Sequence, residues 1–313
     1  MTGIDFEGQV AVVTGSGRGI GREYALGLAG RGAAVVVNDV QTKLADAVVA
    51  EIQSGGGRAS ASHDSVMTAE GGEAIVHRAI QEFGAIDVLI HNAGFTRPDF
   101  FEDLSVERLD AILDVHLRGG FFTGQPAFRA MRERGYGRIV MISSNATFGL
   151  GGMANYSAAK AGLIGLVRVL AIEGAESGVF ANAVMPTGRT TISADDPIPG
   201  LPDRFHAVRE VLESRSQPPT NVPLVLFLSS RECGHAGEVY SSVAGRYARV
   251  FTGLTQGWLA DDADVVTVDD IAEHLDEIRS EDGYLVPDSL VAEYENVADQ
   301  ITRLRHASSA RRG

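Results

Sequence analysis

The sequence of 313 residues has very little cysteine and no long apolar run. Its single cysteine, Cys233, cannot form an intrachain disulfide, which fits a reducing compartment. The longest apolar stretches, such as 9–14 and 33–37, are strand-length and fall short of the about 20 residues that cross a bilayer. The N-terminus lacks the pattern of a secretory signal, and the C-terminus shows no peroxisomal address. We therefore expect a cytoplasmic protein without a membrane span.

Positive charge is also scarce. The chain has 27 Lys and Arg residues against 41 Asp and Glu residues, a formal net charge of −14. Proteins that bind the phosphate backbone of nucleic acids carry clustered Lys and Arg, so a nucleic-acid partner is disfavoured. The hydrophobic share of 44% is ordinary for a globular protein that buries a substantial core.

Short β-rich runs alternate with segments of helical period over about the first 245 residues. The predicted strands are 9–14, 33–38, 58–62, 86–91, 138–143, 179–184 and 238–243. The predicted helices are 19–31, 42–54, 68–83, 105–117, 121–134, 154–176 and 219–230. Strands such as VAVVT and AVVVN are apolar throughout, as in parallel sheets that are covered on both faces. This alternation predicts an α/β doubly wound parallel sheet, the Rossmann fold.

Two regions depart from the alternation. Residues 187–217 are rich in proline and are expected to form a long substrate loop with one short helix at 203–214. Residues 246–313 carry no strand signal and are expected to form a helical C-terminal extension to the 1–245 domain. Within the extension, residues 267–270 resemble a capping box, and a further amphipathic helix is expected from 287 to about 305.

A glycine-rich loop follows the first predicted strand and opens the first helix. Glycines let a pyrophosphate approach the backbone at a helix N-terminus, where free N–H groups favour an anion. The expected contacts are Gly15, Gly17, Arg18, Gly19, Ile20 and Gly21. Asp39 ends the second strand 18 residues after Gly21, close to the spacing of a carboxylate that binds an adenosine ribose. That carboxylate repels the 2′-phosphate of NADP, so NAD is favoured, although Arg18 could attract the phosphate.

Asp64 and Ser65 follow the third predicted strand and are further candidate contacts of the cofactor. Asp64 could bind the adenine amino group or cap the turn.

Tyr156 and Lys160 are spaced i, i+4 at the start of an apolar helix, which places them on one face. A phenol ionises near pH 10 or so. A neighbouring ammonium and an oxidised nicotinamide should lower its pKa and allow proton transfer at neutral pH. Upstream, Ser143 and Ser144 end a strand at the carboxyl edge of the sheet, where a hydroxyl could hold a substrate oxygen, and we favour Ser144. These residues predict interconversion of a secondary alcohol and a ketone.

Over residues 5–245 the motifs resemble those of the short-chain dehydrogenase/reductase family, in the same order. They are TGSGRGIG at 14–21, Asn92-Ala93-Gly94, the Ser144 region and Tyr156-x-x-x-Lys160. The resemblance implies a Ser–Tyr–Lys catalytic group, hydride transfer with a nicotinamide cofactor, no metal, and a homodimer or homotetramer packed through helices. It also implies cofactor contacts from Tyr156 and Lys160 and from a second set: Asn92, Ala93, Gly94, Pro186 and Thr191.

The chain departs from the family pattern at three points. His91 stands where the family usually has asparagine, and Pro186-Thr-Gly replaces the usual Pro-Gly. His116 occupies the position of the family's fourth catalytic residue, an asparagine, and could serve the same proton relay to Lys160.

Within the family, the runs at 115–119, 154–160, 170–174 and 238–258 are most similar to (3R)-hydroxyacyl-CoA dehydrogenases. The resemblance implies a bulky 3-hydroxyacyl-CoA thioester as substrate. A hydroxysteroid or another hydrophobic alcohol is the alternative, and a catalytically inactive nicotinamide-binding sensor is a third reading. The candidate cations for the CoA phosphates, each of which could equally be solvated surface, are Arg189, Arg204, Arg246 and Arg249.

Overall fold

The computed structural model describes residues 3–188, 198–199, 208, 210–212, 215–260 and 265–310. The chain separates into two compact units, one that ends at Val250 and one that begins at Phe251. Within these ranges no helix is both long and apolar enough to pass through a bilayer. Of the predicted loop at 187–217, the helix at 203–214 falls largely outside the described residues.

The first unit is built on one eight-stranded sheet with the order β3-β2-β1-β4-β5-β6-β7-β8. Its strands are β1 Val10–Thr14, β2 Ala34–Asn38, β3 Arg58–Ser62, β4 Val88–His91, β5 Gly137–Ile142, β6 Val179–Pro186, β7 Val239–Val243 and β8 Arg246–Val250. Strands β1 to β7 are parallel, and β8 pairs antiparallel with β7. The predicted Rossmann fold is therefore confirmed.

The helices of the first unit are α1 Gly19–Ala29, α2 Thr42–Ser54, α3 Ala69–Phe83, α4 Val106–Ile112, α5 Gly119–Arg134, α6 Ala154–Gly174 and α7 Val222–Ser229. They cover both faces of the sheet because successive strand residues point to opposite faces. In β1, for example, Val10 and Val12 belong to one buried cluster, and Ala11 and Val13 belong to the other. Each large apolar side chain buried in this way contributes about 1.5–3 kcal/mol.

Two sequence predictions are wrong. The break expected at 118–120 is absent, because the π-helical turn Leu113–Arg118 joins α4 directly to α5. Residues beyond 245 were expected to carry no strand, yet they include β8. Periodicity alone could not separate β8 from irregular chain, since its sequence RYARV is charged and mostly exposed.

The second unit contains the helices α8 Val268–Glu273, α9 Leu275–Arg279 and α10 Leu290–Ala310. The predicted capping box is confirmed: the Thr267 hydroxyl accepts from the Asp270 N–H, and the Asp270 carboxylate accepts from the Thr267 N–H at 2.8 Å. Trp258 stacks on His274 with ring centroids 4.1 Å apart.

Topology determines where a ligand can bind. Strands β1 and β4 are neighbours, and the chain leaves the sheet in opposite directions on either side of them. In such sheets ligands bind outside the carboxyl ends of the strands at this switch point. The last residues of the strands mark this edge of the sheet: Thr14 in β1, His91 in β4, Ile142 in β5 and Pro186 in β6.

Candidate active site

The glycine loop between β1 and α1 allows a close approach to the backbone. Gly15 and Gly19 have φ angles of 61° and 60°, which other residues adopt only with strain. A Cβ on Gly21 would lie 2.3 Å from the Gly15 carbonyl oxygen. Arg18 is exposed, and its side chain does not cap the first turn of α1 in the described structure. The N–H groups at this helix N-terminus therefore suit an anion such as a pyrophosphate.

Asp39 lies beside this loop at the end of β2 and is only 9% exposed. Its carboxylate oxygens accept hydrogen bonds from the backbone N–H groups of Gly17, at 3.1 Å, and Gln41, at 2.9 Å. A carboxylate oxygen has more than one acceptor site, so ribose hydroxyls can be bound as well. The glycine loop and Asp39 thus fit the pyrophosphate and adenosine ribose of a dinucleotide.

Asn92 fixes the loop from the end of β4. Its Nδ2 donates to the carbonyl oxygens of Thr14 and Gly15 at 3.0 Å each. The Thr14 hydroxyl in turn accepts from the N–H groups of Asn92, at 2.9 Å, and Ala93, at 3.0 Å. These contacts hold the glycine loop against the switch point of the sheet.

Tyr156 and Ser144 meet at the carboxyl edge of β5. Tyr156 and Lys160 lie in the first turns of α6, with the Lys160 Nζ 5.6 Å from the centroid of the Tyr156 ring. The Ser144 side chain lies close enough to Tyr156 to lower the pKa of its phenol. Ser143 instead donates to the Lys160 carbonyl at 2.9 Å inside the core. The fold therefore brings Ser144, and not Ser143, to Tyr156.

Burial shifts the pKa values of both Tyr156 and Lys160. Burial raises the pKa of Tyr156, and the nearby Ser144 side chain offsets this only in part. Burial also lowers the pKa of Lys160 to about 7, so its ammonium form is disfavoured. The Lys160 Nζ donates to the Ile142 carbonyl at 2.5 Å. The site thus holds a neutral phenol beside a lysine that can exchange a proton near neutral pH.

His116 lies in the π-helical turn between α4 and α5, a feature that often marks functional sites. Its ring is 2% exposed and meets the Tyr156 ring edge-on, with centroids 5.0 Å apart. Its Nε2 faces the Phe95 carbonyl at 2.7 Å and must donate, which leaves Nδ1 as an acceptor. Nδ1 has no hydrogen-bond partner in the described part of the chain. Burial and the nearby Lys160 keep the pKa of His116 well below its usual range, so the ring is neutral.

His91 supports the same turn, a role that sequence reasoning missed. Its Nε2 donates to the His116 carbonyl at 3.1 Å. Its Nδ1 lies 3.5 Å from the Thr14 hydroxyl, which can donate to it, and 3.2 Å from the Thr123 hydroxyl, which donates to the Gly119 carbonyl at 2.7 Å. Burial and the nearby Lys160 lower the pKa of His91 to about 4. The only signal in the sequence was the histidine in place of the family's asparagine.

The remaining predicted contacts differ in what the structure shows of them. The Asp64 carboxylate accepts from the Ser62 hydroxyl at 3.0 Å, and the Ser65 hydroxyl accepts from the Met67 N–H at 3.2 Å, so both shape the turn after β3. Pro186 ends β6 at the carboxyl edge. Thr191, Arg189 and Arg204 lie outside the described residues.

The two candidate cations on β8 occupy different positions. Arg246 pairs with Val243 at the carboxyl end of β7, the same edge as the site. Arg249 pairs with Tyr240 further from that edge and binds the Glu238 carboxylate at 3.1 Å. Arg246 is therefore the better placed of the two.

Comparison with known proteins identifies the family of the chain. The family model for short chain dehydrogenases matches residues 9–196. A putative short-chain type dehydrogenase/reductase of Mycobacterium tuberculosis is 43% identical over 252 residues, which cover 77% of this chain and 84% of that protein. A 3-oxoacyl-(acyl-carrier-protein) reductase of Synechocystis is 44% identical over 180 residues, 57% of this chain and 73% of that protein.

Peroxisomal multifunctional enzyme type 2 of Drosophila melanogaster is also similar. Its sequence is 40% identical over 250 residues, 77% of this chain and 40% of that enzyme. Its full-length structure superimposes with a TM-score of 0.79 and 32% identity over 96% of this chain and 51% of that one. The chain thus spans about half the length of that multifunctional enzyme, or less.

The chain belongs to the short-chain dehydrogenase family. The family and its dehydrogenase-named members make it an oxidoreductase that acts on CH–OH groups. Members of this family typically bind NAD or NADP.

Proposed function

We propose that the protein is an NAD-dependent dehydrogenase that interconverts a 3-hydroxyacyl-CoA thioester and its 3-oxo form. The proximity of Ser144, Tyr156 and Lys160 at the carboxyl edge of the sheet, next to the glycine loop, carries this proposal. The similar reductase that acts on an acyl-carrier-protein thioester supports the substrate class. Arg246 is the described candidate for a CoA phosphate contact.

In this proposal the reacting oxygen of the substrate accepts a hydrogen bond from Ser144 and exchanges its proton with the Tyr156 hydroxyl. A bound oxidised nicotinamide would supply the hydride acceptor and a positive charge that favours the phenolate. Lys160 replaces the proton on Tyr156 and would hold the nicotinamide ribose. His116 extends this relay, because its buried Nδ1 can accept from a water molecule near the lysine.

Substitution of Tyr156 tests the reaction directly. Tyr156→Phe should bind NADH as the wild type does and lose about 10²–10⁴-fold in kcat, the usual contribution of a general acid or base. The assay is the absorbance of NADH formed from a panel of 3-hydroxyacyl-CoA thioesters and steroid alcohols. Turnover of sterols alone would refute the substrate, and an unchanged kcat in Tyr156→Phe would refute the mechanism.

NAD is proposed over NADP because of Asp39. Its carboxylate is held beside Gly17, where a 2′-phosphate would meet a negative charge. The wild type should have a higher kcat/KM with NAD⁺ than with NADP⁺, and Asp39→Asn should narrow that ratio. A wild-type preference for NADP⁺ would overturn the assignment.

The relay proposed for His116 has its own test. His116→Asn restores the family's usual side chain and should keep most activity, whereas His116→Leu should lower kcat and change its pH profile. Equal effects of the two variants on kcat and on its pH profile would contradict a role for the ring nitrogen.

A homodimer or homotetramer through α5 and α6 is part of the proposal. Both helices expose large apolar side chains, with Phe121 51%, Val169 49% and Ile172 58% exposed. Phe121→Asp should lower the mass measured by light scattering, whereas Phe101→Asp, at an 83% exposed position outside these helices, should not. We also propose a cytoplasmic location, which the single cysteine supports.

A further inference from the structure

A polar cluster at the carboxyl ends of β5, β6 and β7 has no part in the chemistry described above. Asn145 Nδ2 donates to the Thr187 hydroxyl at 3.3 Å, and Asn145 Oδ1 accepts from the Ser241 hydroxyl at 3.2 Å. Asn221 Oδ1 accepts from the Ser242 hydroxyl at 2.8 Å. Asn221, Ser241 and Ser242 are buried. Satisfied polar networks of this kind fix one local conformation.

Thr187 is the centre of this cluster. Its N–H donates to the Ser242 carbonyl at 2.9 Å, and its carbonyl accepts from Asn221 Nδ2 at 3.1 Å. With the Asn145 contact to its hydroxyl, three different elements hold this one residue. Thr187 is also the residue by which the chain departs from the family's Pro-Gly sequence after the sixth strand.

The cluster joins two parts of the site. Asn145 directly follows Ser144, whose hydroxyl meets Tyr156. Thr187 directly precedes Gly188, where a Cβ would lie 2.9 Å from the Ile20 Cδ1 of the glycine loop. The Asn145–Thr187 contact therefore connects the turn that carries Ser144 to the chain that faces the cofactor loop.

We propose that the Asn145–Thr187 hydrogen bond is a positioning contact for the nicotinamide half of the cofactor. The inference rests on the proposed function, because the nicotinamide must lie beside Tyr156 and Ser144 for hydride transfer. The adenosine half lies at Asp39, on the other side of the switch point. Loss of the contact should therefore weaken binding of the nicotinamide half and leave the adenosine half unaffected.

Thr187→Val removes the hydroxyl while keeping the branched shape. We expect NADH affinity, measured by fluorescence titration, to fall about 2- to 12-fold, the range for one net hydrogen bond. Affinity for ADP-ribose, which lacks the nicotinamide, should not change. Thr187→Ser keeps the hydroxyl and should retain NADH affinity. Thr302→Val, which removes a hydroxyl that donates to the Ala298 carbonyl in α10, is the matched control and should change neither affinity.

A double-variant cycle tests the pair itself. Asn145→Ala should weaken NADH binding in the same range, and Asn145→Ala with Thr187→Val should be no weaker than the worse single variant. Equal losses for NADH and ADP-ribose, or additive effects of the two substitutions, would overturn the positioning role. Unchanged NADH affinity in Thr187→Val would also overturn the positioning role. A wild type that binds neither probe would instead refute the proposed function.

Discussion

Substitution of Gly94 by alanine tests how tightly His116 is held beside Tyr156. A Cβ at Gly94 would lie 2.0 Å from the His116 Cε1, 2.7 Å from Nδ1 and 3.0 Å from Nε2. The ring would have to retreat by roughly 1.4 Å to reach the 3.4 Å of an ordinary contact. Its edge-on contact with Tyr156 and its 2.7 Å hydrogen bond to the Phe95 carbonyl oppose such a movement.

The expected cost follows from these contacts. Overpacking of a core contributes about 1–3 kcal/mol, and the loss of the Phe95 hydrogen bond adds about 0.5–1.5 kcal/mol. Gly94→Ala should therefore lower the free energy of unfolding by about 1.5–4.5 kcal/mol and should also lower kcat. Urea denaturation followed by circular dichroism is the assay, since the single tryptophan, Trp258, lies in the second unit.

Two further variants test whether a steric clash with His116 causes the loss of stability in Gly94→Ala. Gly234→Ala is the control, because no described atom lies within 4 Å of its Cβ position, and it should change stability by less than about 0.5 kcal/mol. In a His116→Ala background most of the Gly94→Ala cost should disappear. A cost that stays the same in that background would refute the steric explanation.

Three other predictions concern charge, the cofactor loop and the second unit. Burial lowers the pKa of Lys160 from 10.5 to about 7, so the unfolded chain binds more protons than the folded chain between these two pH values. The free energy of unfolding should rise between pH 7 and 10.5 by at most about 1.4 kcal/mol per pH unit, and Lys160→Met should flatten that rise in urea denaturation. Gly21→Ala should weaken NADH binding about tenfold or more in fluorescence titration, since its Cβ would lie 2.3 Å from the Gly15 carbonyl oxygen. Thr267→Ala removes a capping box and should cost about 1 kcal/mol in unfolding followed by Trp258 fluorescence, with unchanged NADH affinity.

Most of the fold could be predicted from the pattern of hydrophobic residues in the sequence. The predicted strands agree with β1 to β7 within two residues at each end. In β1 and β2 the reason is a run of buried apolar residues bounded by turns, which leaves little choice of register. The strand β8 was missed because none of its residues is buried and its sequence is charged. The π-helical turn was missed because one extra residue in a helical turn leaves the hydrophobic period nearly unchanged.

The sequence predicted those active-site residues whose positions follow from their spacing along a helix or from the end of a strand. Tyr156 and Lys160 are close because they are one helical turn apart. Ser144 lies near Tyr156 because it follows β5 at the carboxyl edge of the sheet, where ligands bind. Contacts between distant segments were not predictable, for example His91 with the π-helical turn and Asn145 with Thr187. The effect of burial on the pKa of Tyr156 could not be derived from the sequence either, because burial is a property of the folded environment.

The outermost strand has a consequence for behaviour in concentrated solution. An edge strand has unpaired backbone N–H and C=O groups, to which a strand of another chain can add. Charged side chains on the edge strand oppose this addition. β8 carries the exposed residues Arg246, Tyr247 and Arg249 within five positions. Pairing of two β8 strands would bring their positively charged arginines together, and these would repel each other. Aggregation by strand addition is thus discouraged at the point where the parallel sheet stops.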